Sequence, residues 1–399
     1  MPQPHQIVDA HGVSPLREQL LALVGDISAV LAEGADGSED SRALAAASVS
    51  VLRDSGLFAA LTPANVGGFQ VDPVTEMELI EAVSAIDGST GWSFWASAGS
   101  TARVASMLPR EAVAEIFDPR RAAPVFAFQE RPFGNVARCE SAGLRVSGRW
   151  PFGTGVAHAD WVVAVSAPAP GDRPTRCPPG DLLAAAVPRA QVQVLDTWDA
   201  SGLSGTGTFD YAIDDVLVGW DRVWAYPPGP ALRGGPHFGF RRAPIKHMGF
   251  ALGVAASSLA VFTEHVGARV GTAREPHGAV VADVARCTLR LAAARALAFE
   301  TVRGVWDQAR RTGGVAPSSQ EYLRAVARYV TEVAVEVCCL VMRHGDASLL
   351  GRQHRLQRNL RDITAAAAHA EMNHAAVEEL GKTLLGQPRS AAAGLGRPA

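Results

Sequence analysis

A single imidazole near the end of the chain is surrounded by residue types that could support acid–base chemistry. His369 follows the Arg361-Asp362 pair, and four alanines separate it from Thr364. Asp362 and His369 are seven positions apart, so on a helix they would lie close to one face, two turns from each other. Imidazole exchanges protons near neutral pH, and the small alanines leave room beside it for a flat group. The segment therefore predicts a site and not only a helix.

Two other interpretations of His369 compete with this one. A lone histidine on a helix is more often a hydrogen-bonded structural residue than a catalyst. A metal site shared with His374 is disfavoured, because histidines five positions apart do not share a helix face and the His-Glu-x-x-His spacing of zinc sites is absent. We therefore expect no metal, and the choice between a structural and a catalytic His369 depends on motifs elsewhere in the chain.

Helical periodicity dominates both ends of the chain, and strand-sized runs dominate the middle. Short apolar runs that begin at Val125, Trp161 and Leu182 are separated by Gly and Pro turns. The predicted helices cover residues 14–33 and 41–56, then 243–268, 278–312, 318–344 and 354–386. The expected fold is mainly α with a β insert: an N-terminal helical domain (1–122), a middle β-barrel-like domain (123–230) and a C-terminal four-helix bundle (236–399).

Composition argues against several classes of partner. The chain has 399 residues, 48% of them hydrophobic, and a formal net charge of −3, which gives no electrostatic reason to bind nucleic acid or an anionic membrane. Every apolar segment is expected to be interrupted by charge before it reaches a membrane-spanning length, and the first residues do not resemble a signal peptide. The five cysteines have neither zinc nor C-x-x-C spacing. A cytoplasmic location is expected.

The three blocks and the C-terminal segment resemble the acyl-CoA dehydrogenase superfamily, in which a flavin lies between the β domain and the bundle. There, the Arg-Asp pair precedes a Glu-Gly-Thr motif whose glutamate abstracts a proton from an acyl thioester, and counting from Arg361-Asp362 places that glutamate at Ala370. The preceding His369 is instead similar to the monooxygenase branch, whose flavin-dependent hydroxylases lose the carboxylate and use a histidine beside a flavin hydroperoxide. The resemblance implies that His369 is catalytic.

Two glycine-rich segments resemble the flavin-contacting loops of this superfamily. In Phe152-Gly153-Thr154-Gly155, the resemblance places a hydroxyl against the flavin; glycine admits the ring edge, and a hydroxyl bonds a ring nitrogen. A plain β-turn between two strands is the alternative for this segment. The second segment, residues 198–208, has Trp198 and Thr206 at matching positions and Ser204 where relatives have arginine. Its glycines match neither a dinucleotide fingerprint nor a P-loop.

Further site residues are assigned only through the resemblance. Gln129 and Asn135 lie in a segment similar to the loop that contacts the flavin ring. Arg269 and Arg274 are similar to basic residues that reach the flavin phosphate across a subunit interface, although solvated arginines are an equal alternative. Trp92 matches a tryptophan that lines the substrate side, although aromatic residues at helical spacing usually belong to a core.

The resemblance implies the oxygenase component of a two-component flavin-dependent monooxygenase. Reduced FMN or FADH2, supplied by a separate flavin reductase, would react with O2 to give a C4a-hydroperoxide that hydroxylates or N-oxygenates a small aromatic or natural-product substrate. His369 would hold or protonate the peroxide, or deprotonate a phenol, and Thr154 would bind near flavin N5.

Two alternative functions remain possible from the sequence, and one oligomeric state is expected. An acyl-CoA dehydrogenase would need Glu371 as a relocated base, and that residue points about 100° away from its neighbour on a helix. A helical scaffold without activity would bind no flavin. The apolar stripe from Val326 to Val341 is longer than one chain need cover, so we expect a homotetramer built through the bundle.

Overall fold

The computed structural model describes residues 15–171 and 174–388. The first helix continues past the expected end at residue 33, because Leu31, Ala35 and Ser38 extend its buried face. The second helix is shorter than expected and starts only at Ala46. The helices of this first block are α1 Pro15–Ser41, α2 Ala46–Asp54, α3 Pro73–Ile86, α4 Gly88–Met107 and α5 Arg110–Ile116.

Two aspartates begin the helices that hold the site. Asp72 accepts hydrogen bonds from the backbone N–H groups of Val74 (2.9 Å) and Thr75 (3.1 Å) at the start of α3. Asp87 accepts one from the N–H of Thr90 (2.8 Å) at the start of α4. Helix α4 is rich in Gly, Ser and Thr, which are poor helix formers, yet most of its residues are buried. Packing against its neighbours, rather than intrinsic propensity, therefore stabilises α4.

The middle block is one sheet layer of eight strands. The apolar runs expected at Val125, Trp161 and Leu182 form β1, β4 and β5. The strand order is β6-β7-β3-β2-β4-β5-β8, with β1 parallel to β4. Among the described residues no ladder joins β6 to β8, so the layer is open rather than a closed barrel. The strands are β1 Phe126–Phe128, β2 Val136–Glu140, β3 Gly143–Gly153, β4 Trp161–Pro168, β5 Leu182–Pro188, β6 Gln193–Leu195, β7 Phe209–Gly219 and β8 Val223–Tyr226.

Two buried aromatic side chains fix β3 and β7 against β4. The rings of Trp150 and Tyr211 stack with centroids 5.6 Å apart. The Trp150 Nε1–H donates to the Val165 carbonyl (2.9 Å), and the Tyr211 hydroxyl donates to the Val163 carbonyl (2.7 Å). Because both polar groups are satisfied, the aromatic pair is buried without an unpaired donor. This anchor holds the end of β3, from which the Thr154 loop continues.

The C-terminal block begins with three long helices, as the periodicity predicts. The expected fourth helix over residues 354–386 is wrong, because the chain leaves the helix after Ala367, forms a 3₁₀ turn at Ala370–Met372 and starts again at Ala375. The helices are α6 Ala243–Gly267, α7 Ala279–Thr312, α8 Pro317–Arg343, α9 Arg355–Ala367 and α10 Ala375–Leu384.

Helix α6 corrects the expectation that charge interrupts every apolar segment. By length and composition, Ala243–Gly267 could cross a membrane, with a mean hydropathy of 1.4 over its most apolar window. However, 78% of that window is buried inside the protein. An apolar helix enclosed by its own chain is a core helix, and burial on all sides explains why it lacks a polar face.

Helices α3 and α6 cross closely because α6 presents glycine to its neighbour. A Cβ atom on Gly249 would lie 2.5 Å from the Met77 carbonyl oxygen, and one on Gly253 would lie 2.8 Å from the Ser84 Cβ. The buried apolar residues of α1 to α4 and of α6 to α9 form one continuous cluster. The two helical blocks therefore share a core, and the α3–α6 crossing is a tight contact within it.

We predict that Gly253→Ala lowers the free energy of unfolding by about 1–3 kcal/mol, because the added methyl group overpacks this crossing. Gly304→Ala is the matched control. Gly304 lies on the exposed side of α7, and a Cβ there would meet no atom within 4 Å, so alanine should stabilise the helix by about 0.5–1 kcal/mol. Urea unfolding followed by circular dichroism measures both. Equal effects of the two substitutions would contradict the close crossing.

Candidate active site

His369 lies just beyond α9, not on it. Its backbone is extended (φ −62°, ψ 142°), and its Nδ1 accepts a hydrogen bond from the backbone N–H of Glu371 (3.2 Å), which caps the 3₁₀ turn. The helical geometry expected for Asp362, His369 and Glu371 is therefore wrong. Because Nδ1 is an acceptor, the neutral ring carries its proton on Nε2. The capping bond thus selects the tautomer that presents an Nε2–H donor away from the turn.

His369 forms one side of an aromatic box, which consists of Trp92, Trp95, His247, Phe250 and His369. The His369 ring is 5.7 Å from Trp92 and 4.8 Å from His247, measured between ring centroids. Trp92 also makes edge contacts with Trp95 (4.8 Å), His247 (5.4 Å) and Phe250 (5.2 Å). Sequence reasoning found Trp92 and His369 but missed His247, which lies on α6 in an apolar segment without a motif.

The two imidazoles of the box are neutral at pH 7. The His369 residue is exposed, but neighbouring atoms crowd its ring, and this desolvation lowers the pKa of His369; Glu371 opposes the shift and Arg131 adds to it. Burial lowers the pKa of His247 well below its usual value, and the nearby His369 and Lys246 lower it further. The His247 Nε2 atom is buried without a hydrogen-bond partner among the described residues. The box therefore presents uncharged imidazoles to whatever enters it.

Three threonine hydroxyls connect the two glycine-rich loops. Thr208 Oγ1 donates to Thr154 Oγ1 (3.1 Å) and lies 2.6 Å from Thr206 Oγ1. Because Thr154 accepts this bond, its own hydroxyl hydrogen is left to donate to another group. Beside it, Phe152 has a left-handed backbone (φ 61°) and is 59% exposed. The loop thus combines a free hydroxyl donor with an exposed aromatic face.

Helix α4 supports both loops from behind. Ser93 Oγ donates to the Thr206 carbonyl (3.3 Å), and Ser97 Oγ lies 3.1 Å from His158 Nε2. A Cβ on Gly155 would lie 2.8 Å from Ser97 Oγ, so only glycine lets this turn rest on α4. Burial lowers the pKa of His158 to about 4, so this supporting imidazole is neutral at pH 7.

Most of the other predicted flavin-contacting side chains hold the loops together. The Asn135 amide bonds the N–H (3.1 Å) and carbonyl (2.8 Å) of Arg149. The Gln129 amide bonds the Pro151 carbonyl (2.9 Å) and the Arg131 N–H (3.1 Å). In the second loop, the Trp198 Nε1–H points to the carbonyls of Leu203 (3.2 Å) and Ser204 (3.1 Å), and Thr206 Oγ1 donates to the Leu203 carbonyl (2.8 Å).

The two arginines expected at the flavin phosphate differ in their surroundings. Arg269 forms an ion pair with Asp346 and lies beside His265. Arg274 is exposed, in the segment between α6 and α7. Both follow the C-terminal end of α6, whereas the aromatic box includes residues from the N-terminal part of that helix. The contact that we expect them to make across a subunit interface remains a prediction.

The residues around the first glycine-rich loop fit a flavin. Thr154 offers a hydroxyl donor that no described residue uses, and Phe152 and Phe133 expose apolar faces, at 59% and 42%, in neighbouring turns. A tricyclic ring with polar edge atoms requires both an apolar face and donors at its edge. Thr154 would hold that edge, with Phe152 and Phe133 against the ring system.

Residues 245–374 match the family model of the acyl-CoA dehydrogenase C-terminal domain. The chain has the acyl-CoA dehydrogenase-like fold. It is 29% identical over 353 residues to an indole-3-acetate monooxygenase of Pseudomonas putida, covering 85% of this chain and 86% of that protein. It is 27% identical over 399 residues to the oxygenase component of an FADH2-dependent resorcinol hydroxylase of a Rhizobium species, covering 92% and 94%.

Solved structures agree with this fold. XiaF from a Streptomyces species, determined in complex with FADH2 and glycerol, superposes with a TM-score of 0.82 at 24% identity, covering 94% of this chain and 96% of that one. The two relatives named above are a monooxygenase and the oxygenase component of an FADH2-dependent hydroxylase, so the recognition of the flavin-dependent monooxygenase branch, as opposed to an acyl-CoA dehydrogenase, is confirmed. The protein is an oxidoreductase.

Asp362 links α9 to the second glycine-rich loop, and its protonation should affect stability. Its Oδ1 accepts from the Leu203 N–H (2.5 Å), while Oδ2 is buried without a partner among the described residues. Burial, and secondly the charge of Asp87, raise the pKa of Asp362 to about 7. The folded state therefore binds this proton more tightly than the unfolded chain does, and the resulting stability is lost as the pH rises from about 4 to about 7.

We predict that Asp362→Asn, which keeps the acceptor and removes the charge, gains stability relative to the wild type by about 1 kcal/mol per pH unit between pH 5 and 7. Urea unfolding at each pH measures this difference. Asp118→Asn is the control, because Arg120 lowers the pKa of Asp118 to about 2 and that group does not titrate in this window. Parallel pH profiles of wild type and Asp362→Asn would contradict the raised pKa.

Proposed function

We propose that this oxidoreductase is the oxygenase component of a two-component system, in which His369 is the acid–base group for oxygenation of a small aromatic substrate. The observation that carries this proposal is the imidazole of His369, one position before Ala370, which stands where the dehydrogenases have their catalytic glutamate. Its Nδ1 is capped by the Glu371 N–H, its Nε2 has no partner among the described residues, and its ring lies against Trp92. An imidazole held with its proton on Nε2 suits a hydrogen-bond donor to the transferred oxygen and, in its imidazolium form, a general acid.

The side chain of Glu371 argues against the dehydrogenase alternative. Its carboxylate forms an ion pair with Arg241, so the nearest candidate for a relocated base already has a cationic partner. A carboxylate neutralised in this way is a weaker base for a carbon acid. This ion pair supports the assignment of proton transfer to His369 rather than to Glu371.

The protein's own side chains would bind the flavin, orient the substrate and exclude water from the site. When bound, a reduced flavin supplies the activation of O2. Thr154 would donate to the edge of the flavin, and Trp92 and Phe250 would cover the substrate ring. The His369 Nε2–H would donate a hydrogen bond to the oxygen being transferred, and the imidazolium form of the ring would give it a proton. The proposal has two further parts: a separate reductase supplies the reduced flavin, and the protein is located in the cytoplasm.

We predict that His369→Ala retains the fold and reduced-flavin binding but lowers the yield of oxygenated product by about 10²–10⁴-fold. Oxygen uptake should continue, because flavin oxidation does not need the imidazole, and should release hydrogen peroxide. Product and peroxide are measured together, with a flavin reductase and NADH added. His277→Ala is the control, since His277 lies in an exposed loop.

Two outcomes would contradict this role. Full coupled turnover in His369→Ala would show that the imidazole is structural. Loss of activity in Glu371→Gln, accompanied by tight binding of oxidised FAD and by oxidation of an acyl thioester, would favour the dehydrogenase instead. His369→Asn separates the two functions of the ring, because asparagine retains a hydrogen bond but cannot transfer a proton.

We also propose a homotetramer, on a different basis from the sequence argument. The stripe of Val326, Val330, Val333, Val337 and Val341 is buried within the chain itself, so it does not call for a partner. Large apolar side chains remain exposed elsewhere on the C-terminal helices. They are Val281, Leu289, Tyr322, Tyr329, Val377 and Leu384.

We predict a mass of four chains of 41.9 kDa by light scattering at micromolar concentration. Leu289→Arg should lower this mass if α7 lies in an interface, because Leu289 is 71% exposed and an arginine there would be desolvated on assembly. Leu232→Arg is the control, since Leu232 is similarly exposed (65%) but lies in the linker before α6. A monomeric wild type would refute the tetramer and the role of Arg269 and Arg274 across it.

A further inference from the structure

A partly buried lysine lies next to the aromatic box. Lys246 is one of only two lysines in the chain and directly precedes His247 on α6. Its Nζ lies 5.2 Å from the centroid of the Trp95 ring. It also rests on Gly99 of α4, where any Cβ atom would overlap it. The ammonium group thus sits in a recess between α4 and α6, with one wall formed by an aromatic side chain of the box.

The charge of Lys246 has no counter-charge of its own. Among the described residues no carboxylate lies within ion-pair distance of its Nζ. The two carboxylates that act on it from farther away, Glu76 and Glu130, have other partners. Glu76 pairs with Arg242, while Glu130 accepts from the Tyr226 hydroxyl (3.1 Å) and lies 3.6 Å from Arg103 Nε. Burial accordingly lowers the pKa of Lys246.

Two further polar atoms beside this recess are unpartnered. His247 is 2% exposed, and its Nε2 has no hydrogen-bond partner among the described residues. The same holds for the buried Nε1–H of Trp95, which lies between Lys246 and His247. Buried polar groups without partners are rare in native proteins, and their usual explanation is a missing ligand or water. Here two such atoms lie beside the Lys246 ammonium at one end of the aromatic box.

We propose that Lys246 binds a carboxylate on the substrate, so that the substrate class is aromatic acids whose ring occupies the aromatic box beside His369. The proposal rests on the function proposed above. The Trp95 Nε1–H offers a second donor to the same anion, and the ring faces of Trp92 and Phe250 cover the aromatic part. A cation held between a tryptophan and a glycine, with no ion pair to break, is pre-organised to receive an anion. It also discriminates against neutral analogues, because they would leave the ammonium unpaired.

The test compares acids with their isosteric amides on the full-length protein without flavin, by isothermal titration calorimetry at pH 7. Indole-3-acetate is paired with indole-3-acetamide, and phenylacetate with phenylacetamide. We expect wild type to bind at least one acid about 10- to 100-fold more tightly than its amide, as a charge-assisted hydrogen bond allows. Lys246→Met should reduce that preference to within about threefold, and Lys246→Gln should do the same should the methionine variant fail to fold. Lys382→Met is the control, because Lys382 already pairs with Glu378 (2.6 Å) and Glu379 (3.0 Å) on α10.

Several results would overturn the inference. The first is a wild type that binds neither acid more tightly than its amide, and the second is a preference for the acid that survives in Lys246→Met. The third is a Lys246→Met variant that loses only affinity for reduced flavin, because that result would assign the lysine to the cofactor. Failure of the proposed function is separate from these. If the acids bind through Lys246 and yet no reductase-dependent oxygenation of any aromatic acid occurs, the anion site is retained and the monooxygenase role is lost.

Discussion

One carboxylate, that of Asp362, joins three parts of the chain that are distant in sequence. It accepts the Leu203 N–H of the second glycine-rich loop and lies against Gly88 at the start of α4, where a Cβ would be 3.2 Å from its own Cβ. One turn earlier on α9, Arg358 lies 3.6 Å from Asp87, the residue that caps α4. A single buried junction therefore fixes α4, α9 and the second glycine-rich loop to one another. The residues of the aromatic box come from α4, from α6 and from the turn that follows α9.

The end of α9 gives His369 its chemical character. Had the helix continued, the imidazole would have been one side chain on a helical surface. Because the helix stops at Ala367, the Nδ1 of His369 caps the 3₁₀ turn that follows, and Nε2 is directed away from that turn. The same break places the ring against Trp92 and His247, which come from α4 and α6. One local change of backbone therefore determines tautomer, orientation and surroundings together.

The site combines neutral and charged surfaces in a way that suits oxygen transfer to an anionic aromatic molecule. Desolvation keeps both imidazoles uncharged, so they do not attract a carboxylate. The one cation of the recess, Lys246, lies beyond Trp95, away from the imidazole pair. A molecule with a ring and an acidic group would consequently be oriented, with its ring toward His369 and its charge toward Lys246. If both ends of the site carried a positive charge, such a molecule could bind in either orientation.

Local signals in the sequence determined the architecture, while contacts between distant residues were decided only by the tertiary structure. Helical and alternating apolar patterns predict the long helices of the bundle and strands β1, β4 and β5, because burial of one face is a local property of the chain. His369 next to Ala370, the position of the lost glutamate, indicates the hydroxylase chemistry for the same reason, since a motif is read from neighbouring residues. Neither pattern could show that α9 ends before His369, because alanine favours helix and the competing capping bond forms only in the folded turn. Nor could they show that His247 and Lys246 join the site from more than a hundred residues away, or that Asn135 and Gln129 bond the backbone of strand β3. These contacts depend on which polar atoms still lack a hydrogen-bond partner once the whole chain has packed.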